Sequence, residues 1–180
     1  MRASIAFERA LESGDVDAAR AALDDPDGWP NVVDPYLGDT VLSRALGCAP
    51  LEAIRKLLAD GADPNFRPQD DGFPSLIDVI HHRRSDRPEL RKFDDAHELL
   101  RMLIAAGADV EARGLNDGTA LHFACWYDDA EAVRILLDAG ADPQARTRID
   151  DLETPAEIAE ANGGNALRAL AEWRSRSHPG

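Results

Sequence analysis

Basic residues are scarce in this sequence. Lysine and arginine together number 20 against 34 aspartates and glutamates, which gives a formal net charge of −14 over 180 residues. Nucleic acids and anionic membranes are bound through basic patches, so the charge argues against both as partners. A strongly acidic protein can instead associate rapidly, and in a salt-dependent manner, with a basic protein. An acidic surface that only maintains solubility is the alternative interpretation.

Cysteines and long apolar runs are also scarce. The two cysteines, Cys48 in an apparent loop and Cys125 on a helix face, are interpreted as reduced thiols. No apolar run approaches the roughly 18 residues that a membrane span requires. The N-terminal stretch contains acids within its apolar run, which is not the pattern of a secretory signal. We therefore expect a cytoplasmic protein.

The sequence lacks the motifs of common active sites. It contains no phosphate-binding loop, no zinc-ligand cysteine pair and no nucleophile elbow. The acid pairs Asp70–Asp71, Asp128–Asp129 and Asp150–Asp151 recur in predicted turns, so we interpret them as solvated loop residues and not as general acids or bases. We predict no enzymatic activity, no cofactor and no metal.

A group of histidines leaves one alternative open. His81, His82 and His97, together with Asp94 and Asp95, offer the ligand types of a metal-binding or hydrolytic site. Adjacent side chains on a helix point about 100° apart, so His81 and His82 are poorly placed to share one ion.

The clearest structural signal lies between Asp117 and Arg146, in DGTALHFACWYDDAEAVRILLDAGADPQAR. Thr119 is placed to cap a helix start, and Gly140 suits the left-handed residue that ends a second helix. Apolar residues recur at helical spacing in both helices: Leu121, Ala124, Cys125, then Val133, Leu136, Leu137. Two helices of about ten residues cannot bury both stripes alone, which predicts neighbouring copies.

The copies are marked by a Gly-Ala-Asp triplet. It occurs at Gly61, Gly107 and Gly140, at intervals of 46 and 33 residues. Each is preceded by an apolar triplet at the same spacing: Ile54, Leu57, Leu58; Leu100, Leu103, Ile104; and Val133, Leu136, Leu137. Self-similarity at such a period is typical of stacked helical repeats.

The run from Thr119 to Ala124, TALHFA, resembles the T-P-L-H-x-A signature of the ankyrin repeat family, with Ala120 in place of proline. The resemblance implies an all-α solenoid of about five helix-turn-helix units joined by short β-hairpin turns. It also implies that His122 bridges backbone groups of neighbouring repeats. It gives almost no information about the identity of a partner.

We expect a single ankyrin-repeat domain over residues 1–180. Its repeats are predicted at residues 4–33, 34–67, 68–113, 114–147 and 148–175, followed by a disordered tail at 176–180. The first and last repeats are degenerate, as expected of terminal caps.

The third repeat contains an insertion. Its cap position and closing glycine, Pro74 and Gly107, are 33 residues apart, whereas Thr119 and Gly140 in the fourth repeat are 21 apart. About a dozen residues, around 83–93, are therefore predicted to lie between the two helices of the third repeat. Such an insert is either a tolerated surface excursion or part of a binding face.

Ankyrin-like repeats usually meet a partner at the turn before the cap residue and at the exposed end of the first helix. Transferred by position, this rule selects the candidate partner-binding residues Tyr36, Leu37, Asp39, Asp70, Asp71, Phe73, His81, His82, Leu115, Asn116, Trp126, Tyr127, Asp150, Asp151 and Glu153. Trp126 and Tyr127 stand out, because aromatic residues are enriched in interface hot spots. Packing of this pair against the insert is the alternative.

These patterns predict a monomer that binds a partner protein, of basic character, through its concave face and hairpin turns. A more specific alternative is an immunity protein or antitoxin that neutralises a basic toxin or nuclease, since a small acidic protein suits that role. A metal-binding or hydrolytic protein that uses the histidines of the insert is the third.

Overall fold

A computed structural model describes residues 2–35, 38–67, 73–83, 95–148 and 153–177. The chain divides into two compact units, Met1–Ala108 and Asp109–Gly180. Within the described ranges the chain forms ten α-helices, none of which has the length and apolar character to cross a membrane. The single domain and the repeat boundaries stay predictions from the sequence.

The first unit contains three helix pairs. They are α1 (Arg2–Ser13) with α2 (Val16–Ala22), α3 (Val41–Cys48) with α4 (Leu51–Ala59), and α5 (Ser75–Arg83) with α6 (Ala96–Ala105). The first helices of successive pairs, α1, α3 and α5, pack against one another, and α2 packs against α4. Each pair thus buries its apolar stripe against the next, as in a helical repeat array.

The second unit repeats this arrangement with two helix pairs. They are α7 (Ala120–Trp126) with α8 (Ala130–Asp138), and α9 (Pro155–Asn162) with α10 (Asn165–Ser177). The first helices, α7 and α9, pack against each other, and so do the second helices, α8 and α10. The predicted all-α repeat fold is therefore confirmed.

The predicted apolar stripes form the core of both units. Leu121, Ala124, Cys125, Val133, Leu136 and Leu137 are all buried, as are Ile54, Leu57, Leu100 and Leu103. Leu58 and Ile104, the third members of the first two triplets, are half-buried.

Helix starts are capped by the residue types that the sequence indicated. The hydroxyl of Thr40 accepts a hydrogen bond from the backbone N–H of Ser43 at 3.1 Å. Thr154 accepts one from Glu157 N–H at 3.1 Å, and the Glu157 carboxylate accepts one from Thr154 N–H at 2.8 Å, which completes a capping box.

Hairpin turns precede the first helices at two places in the described part of the chain. Single antiparallel bridges join Val33 to Thr40 and Arg113 to Thr119. Polar side chains at one repeat position then tie successive turns together. Asn65 donates to the carbonyl of Gly107 at 2.9 Å, just as Asn31 donates to Gly61 at 3.0 Å.

Three local features differ from the sequence expectations. Cys48 closes α3 and does not lie in a loop, because its thiol donates to the carbonyl of Arg44 one turn earlier, at 3.2 Å. Helix α10 continues to Ser177, into the segment predicted as a disordered tail, since Arg176 pairs with Asp138 of α8 at 3.0 Å. Helix α5 includes Arg83, and residues 84–93 of the predicted insert lie outside the described residues.

Candidate partner-binding surface

The predicted partner-binding residues fall into two groups. Six of them lie outside the described residues: Tyr36, Leu37, Asp70, Asp71, Asp150 and Asp151. His82 lies in α5 and Leu115 in a single 3-10 turn, but their side chains are also outside the described part. The remaining seven can be placed within their own units.

Trp126 is the most conspicuous of the placed residues. Its side chain is 46% exposed, and among the described residues only Ile5 is another exposed large apolar side chain. The indole meets the ring of Phe123 edge-on, with ring centroids 5.5 Å apart and an interplanar angle of 79°. Because Phe123 is buried, this contact gives the exposed indole a fixed support.

Tyr127 is less accessible than the prediction of an aromatic pair implied. It forms the C-cap of α7, where its backbone N–H donates to the carbonyl of Phe123 at 3.0 Å. Its side chain is half-buried. Trp126 is therefore the more available of the two aromatic residues.

Asn116 and Glu153 belong to the turns at the other end of α7. Asn116 is exposed and has a left-handed backbone, with φ of +54°. The side chain of Glu153 is exposed, whereas its backbone carbonyl faces the ring of His122. Helix α7 has seven residues, a rise of roughly 10 Å, and Trp126 is the last of them. A partner must therefore span both ends of α7 to contact all three side chains.

In the first unit, three predicted residues can be placed. Asp39 is exposed and lies 3.8 Å from the guanidinium of Arg44. Half-buried Phe73 stacks on exposed His81, with ring centroids 5.3 Å apart and a tilt of 32°. The aromatic side chain at position 73 thus has an intramolecular contact as well as a solvent-facing part.

Asp117 is the residue of this region that the sequence analysis missed. It is only 7% exposed and has a left-handed backbone, with φ of +60°. Its carboxylate accepts hydrogen bonds from the guanidinium groups of Arg113, at 2.9 Å, and of Arg148, at 2.6 Å. It also accepts the backbone N–H of Arg148 at 2.7 Å.

These contacts determine the charge state of Asp117. Hydrogen bonds from Arg148 outweigh the effect of burial and hold the pKa of the Asp117 carboxyl well below its usual range. The side chain is therefore an anion at neutral pH. It joins the turn before α7 to the segment before α9, 31 residues later.

His122 provides the second link between these two segments. Its Nδ1 lies 3.0 Å from the backbone nitrogen of Thr119, which can only donate, so Nδ1 is the acceptor. The proton of a neutral ring is then on Nε2, which lies 3.3 Å from the carbonyl oxygen of Glu153. The ring is fully buried, and burial lowers its pKa. His122 thus bridges backbone groups of neighbouring repeats, as the resemblance implied.

The acids Asp128 and Asp129 are not the solvated loop residues that the sequence suggested. Asp129 caps α8 by accepting from Ala132 N–H at 3.2 Å. Asp128 reaches the start of α10 and accepts from Ala166 N–H at 2.7 Å and from Asn165 at 3.0 Å. Both carboxylates are half-buried and satisfy N–H groups that a helix start leaves unpaired.

The histidines of the alternative metal site are placed only in part. His97 is half-buried in α6 and His81 is exposed in α5. Within the part of the chain that the structure describes, no three His, Cys, Asp or Glu residues form a group that could hold a metal ion. Asp94 and the side chain of His82 lie outside that part.

One segment of the chain matches a known protein family. Residues 101–159 match the family model of ankyrin repeats (many copies). The matched segment contains α7, α8, both links to the segment before α9, and the TALHFA motif. The chain matches no curated protein.

Proposed function

We propose, from the match of residues 101–159 to ankyrin repeats, that the chain is a non-enzymatic module that binds partner proteins through its hairpin turns and first helices. Ankyrin repeats generally mediate protein–protein interaction. The observation that carries the proposal for this chain is the exposed indole of Trp126, supported by the buried ring of Phe123.

A fixed, exposed tryptophan suits the centre of a protein interface. Aromatic anchors dominate interface energetics because they bury a large area and have few side-chain rotamers to lose. Phe123 is buried in the core, whereas the indole of Trp126 beside it is 46% exposed. Trp126 is therefore the proposed apolar anchor.

The charge of the chain supports a basic partner. The net charge is −14, and the acids Asp39 and Glu153 are exposed in the predicted contact region. These acids attract a basic surface over distances up to about one Debye length, roughly 10 Å at 0.1 M salt. A basic protein is thus favoured over nucleic acid or an anionic membrane. We further propose a cytoplasmic, monomeric protein, for which the reduced thiols of Cys48 and Cys125 are suitable.

The same charge favours a second, more specific candidate, neutralisation of a basic toxin or nuclease. The two candidates differ in the expected affinity and in the number of partners. A general interaction module has several weak partners, whereas a neutralising protein has one tight partner whose activity it abolishes. Co-expression of the chain with the captured partner, scored by cell survival, distinguishes them.

The experiment on Trp126 has a matched control in the chain itself. The immobilised parent protein, Trp126→Ala and Ile5→Ala are used in parallel to capture partners from native lysate. Ile5 is exposed to a similar extent, 47%, but lies on α1 in the first repeat, which contains none of the predicted partner-binding residues. We expect Trp126→Ala to weaken capture by about thirtyfold, the effect of roughly 2 kcal/mol, and Ile5→Ala to leave it unchanged.

Two results would contradict the proposal. If Trp126→Ala and the parent capture the same protein with equal dissociation rates, the indole is not an anchor. If both alanine variants lose binding equally, the interaction is non-specific adhesion to apolar surface. Circular dichroism of all three proteins verifies that the fold is unchanged.

A further inference from the structure

The C-terminal ends of two first helices meet beside the indole of Trp126. Trp126 is the last residue of α7, and Asn162 is the last residue of α9. The side-chain amide of Asn162 donates to the carbonyl of Cys125 at 3.1 Å. Because Cys125 directly precedes Trp126, this hydrogen bond places the end of α9 next to the backbone that carries the indole.

Both helix ends favour a positive charge. The last turn of a helix leaves carbonyl groups unpaired, and its end carries a partial negative charge that a cation stabilises. Neither α7 nor α9 has a basic residue in its last turn. The described residues form no hydrogen bond to the carbonyls of Ala161 and Asn162. These two oxygens at the end of α9 are therefore open to a donor from outside the chain.

The side chains of this region add negative charge and no positive charge. Helices α7 and α9 and the turn after each contain four acids and no lysine or arginine. Glu157 and Glu160 pair with arginines of other segments. Asp128 and Asp129 instead accept hydrogen bonds from backbone N–H groups, which are neutral. The turn that directly follows Trp126 thus has two carboxylates.

The indole itself can bind a cation. The face of an indole is negative and attracts a cation more strongly than the ring of phenylalanine or tyrosine does. Trp126 meets Phe123 edge-on, at 79°, so this contact covers at most one face of the indole. The exposed part of Trp126 therefore offers an aromatic surface in a negative environment.

We propose that Trp126 receives an arginine side chain of the partner, with the guanidinium over the indole and its outer N–H groups directed at the carbonyls that end α9. The inference rests on the proposed function, because it names the group that meets the proposed anchor. Arginine suits the position because its planar guanidinium stacks on an aromatic ring and still donates hydrogen bonds. An aliphatic side chain would cover the indole but leave the open carbonyls without a donor.

An NMR titration of the full chain tests this without the natural partner. The probes are N-acetylargininamide and N-acetylcitrullinamide, which have nearly the same shape but differ in charge. The indole N–H signal of Trp126 is assigned by its loss in Trp126→Phe. We expect the signal to report a dissociation constant about two- to fivefold lower for the arginine probe. A titration with sodium chloride gives the effect of salt alone.

A second exposed indole is the matched control, since any such ring attracts cations to some degree. Ile5→Trp, made together with Trp126→Phe, places an indole at a position that is exposed to a similar extent. Ile5 lies near the start of α1, where the helix end is positive, and Arg9 one turn later is exposed. We expect the arginine preference of this indole to be smaller than that of Trp126.

Two results would overturn the assignment of arginine. One is equal affinity of both probes at Trp126, and the other is an equal arginine preference at Trp126 and at the indole of Ile5→Trp. Either result holds even if Trp126→Ala weakens capture of the partner. Failure of the proposed function is a separate observation: Trp126→Ala would release the partner at the parental rate although the arginine preference is present. That result would remove the interface and the proposed occupant with it.

Discussion

Three structural features meet at Asp117. It is buried, its backbone is left-handed, and it binds two arginines from different turns. Two successive left-handed residues, Asn116 and Asp117, cost roughly 1–2 kcal/mol each in an L-residue, although Asn and Asp tolerate this conformation better than others. The hydrogen bonds to Arg113 and Arg148 offset that cost and keep the turn in one conformation.

Replacement of Asp117 by asparagine tests this role. Asparagine tolerates the left-handed backbone but loses the charge, so we expect Asp117→Asn to lower the free energy of unfolding by about 1–3 kcal/mol. Urea denaturation monitored by circular dichroism at pH 7 measures the difference. Glu160→Gln, at an exposed position of α9, is the control and should change stability by less than about 0.5 kcal/mol.

The pH dependence of this difference has a definite sign. Because the pKa of Asp117 is lowered in the folded state, its contribution is present above the ordinary aspartate value of 3.8. It is lost as the pH falls from there towards the lower folded value. The gap between the parent and Asp117→Asn should therefore narrow below about pH 4. A gap that stays constant from pH 7 to pH 3 contradicts the assignment.

Single residues were predictable where the family motif defines them. The resemblance implied the bridging role of His122, and the structure shows both of its contacts. Asp117 escaped notice because its meaning depends on Arg148, which follows 31 residues later in an irregular segment. An available signal was that the second repeat has Gly38 at the corresponding position before its cap residue, Thr40.

At the scale of elements, helix starts and stripes were easier to predict than helix ends. A cap residue and an apolar period are defined by residues close together in the chain, so both can be recognised in the sequence of a single repeat. The end of α10 depends on Arg176 meeting Asp138, 38 residues away, and no local pattern contains that contact. Asp128 shows the same limit, because its target lies in the next repeat.

Shortening the insert tests whether α5 and α6 can pack against each other without it. Helices α5 and α6 pack against each other, and α6 begins at Ala96. If the insert is a tolerated excursion, replacement of residues 84–94 by a four-residue turn should preserve helical content and change stability by less than about 1 kcal/mol. Far-UV circular dichroism and urea denaturation provide the measurement. Loss of the fold would instead show that the insert contributes to the core.

At the scale of the whole molecule, the acidic charge and the exposed tryptophan should affect different rate constants. Asp39→Asn combined with Glu153→Gln removes two exposed acids of the predicted contact region. We expect this double substitution to lower the association rate with a basic partner severalfold at 20 mM salt and to change that rate little at 500 mM salt. Trp126→Ala should instead raise the dissociation rate at both salt concentrations.

A charge-matched control separates local steering from net charge. Glu52→Gln with Glu131→Gln removes the same charge from the second helices α4 and α8, away from the predicted contact region. Stopped-flow or surface-binding kinetics compare the two pairs. Equal slowing by both would mean that only the net charge of −14 matters, and the acids at the turns would have no special role.

The spacing of the polar ties has a consequence for chain entropy. Asn31 meets Gly61 across 30 residues, whereas Asn65 meets Gly107 across 42, because the second interval contains the predicted insert. Loop-closure entropy grows only with the logarithm of loop length, about 0.6 kcal/mol for each doubling. The longer loop therefore costs a few tenths of a kcal/mol at most. One repeat can thus be lengthened while the hydrogen bond from Asn65 to Gly107 is kept.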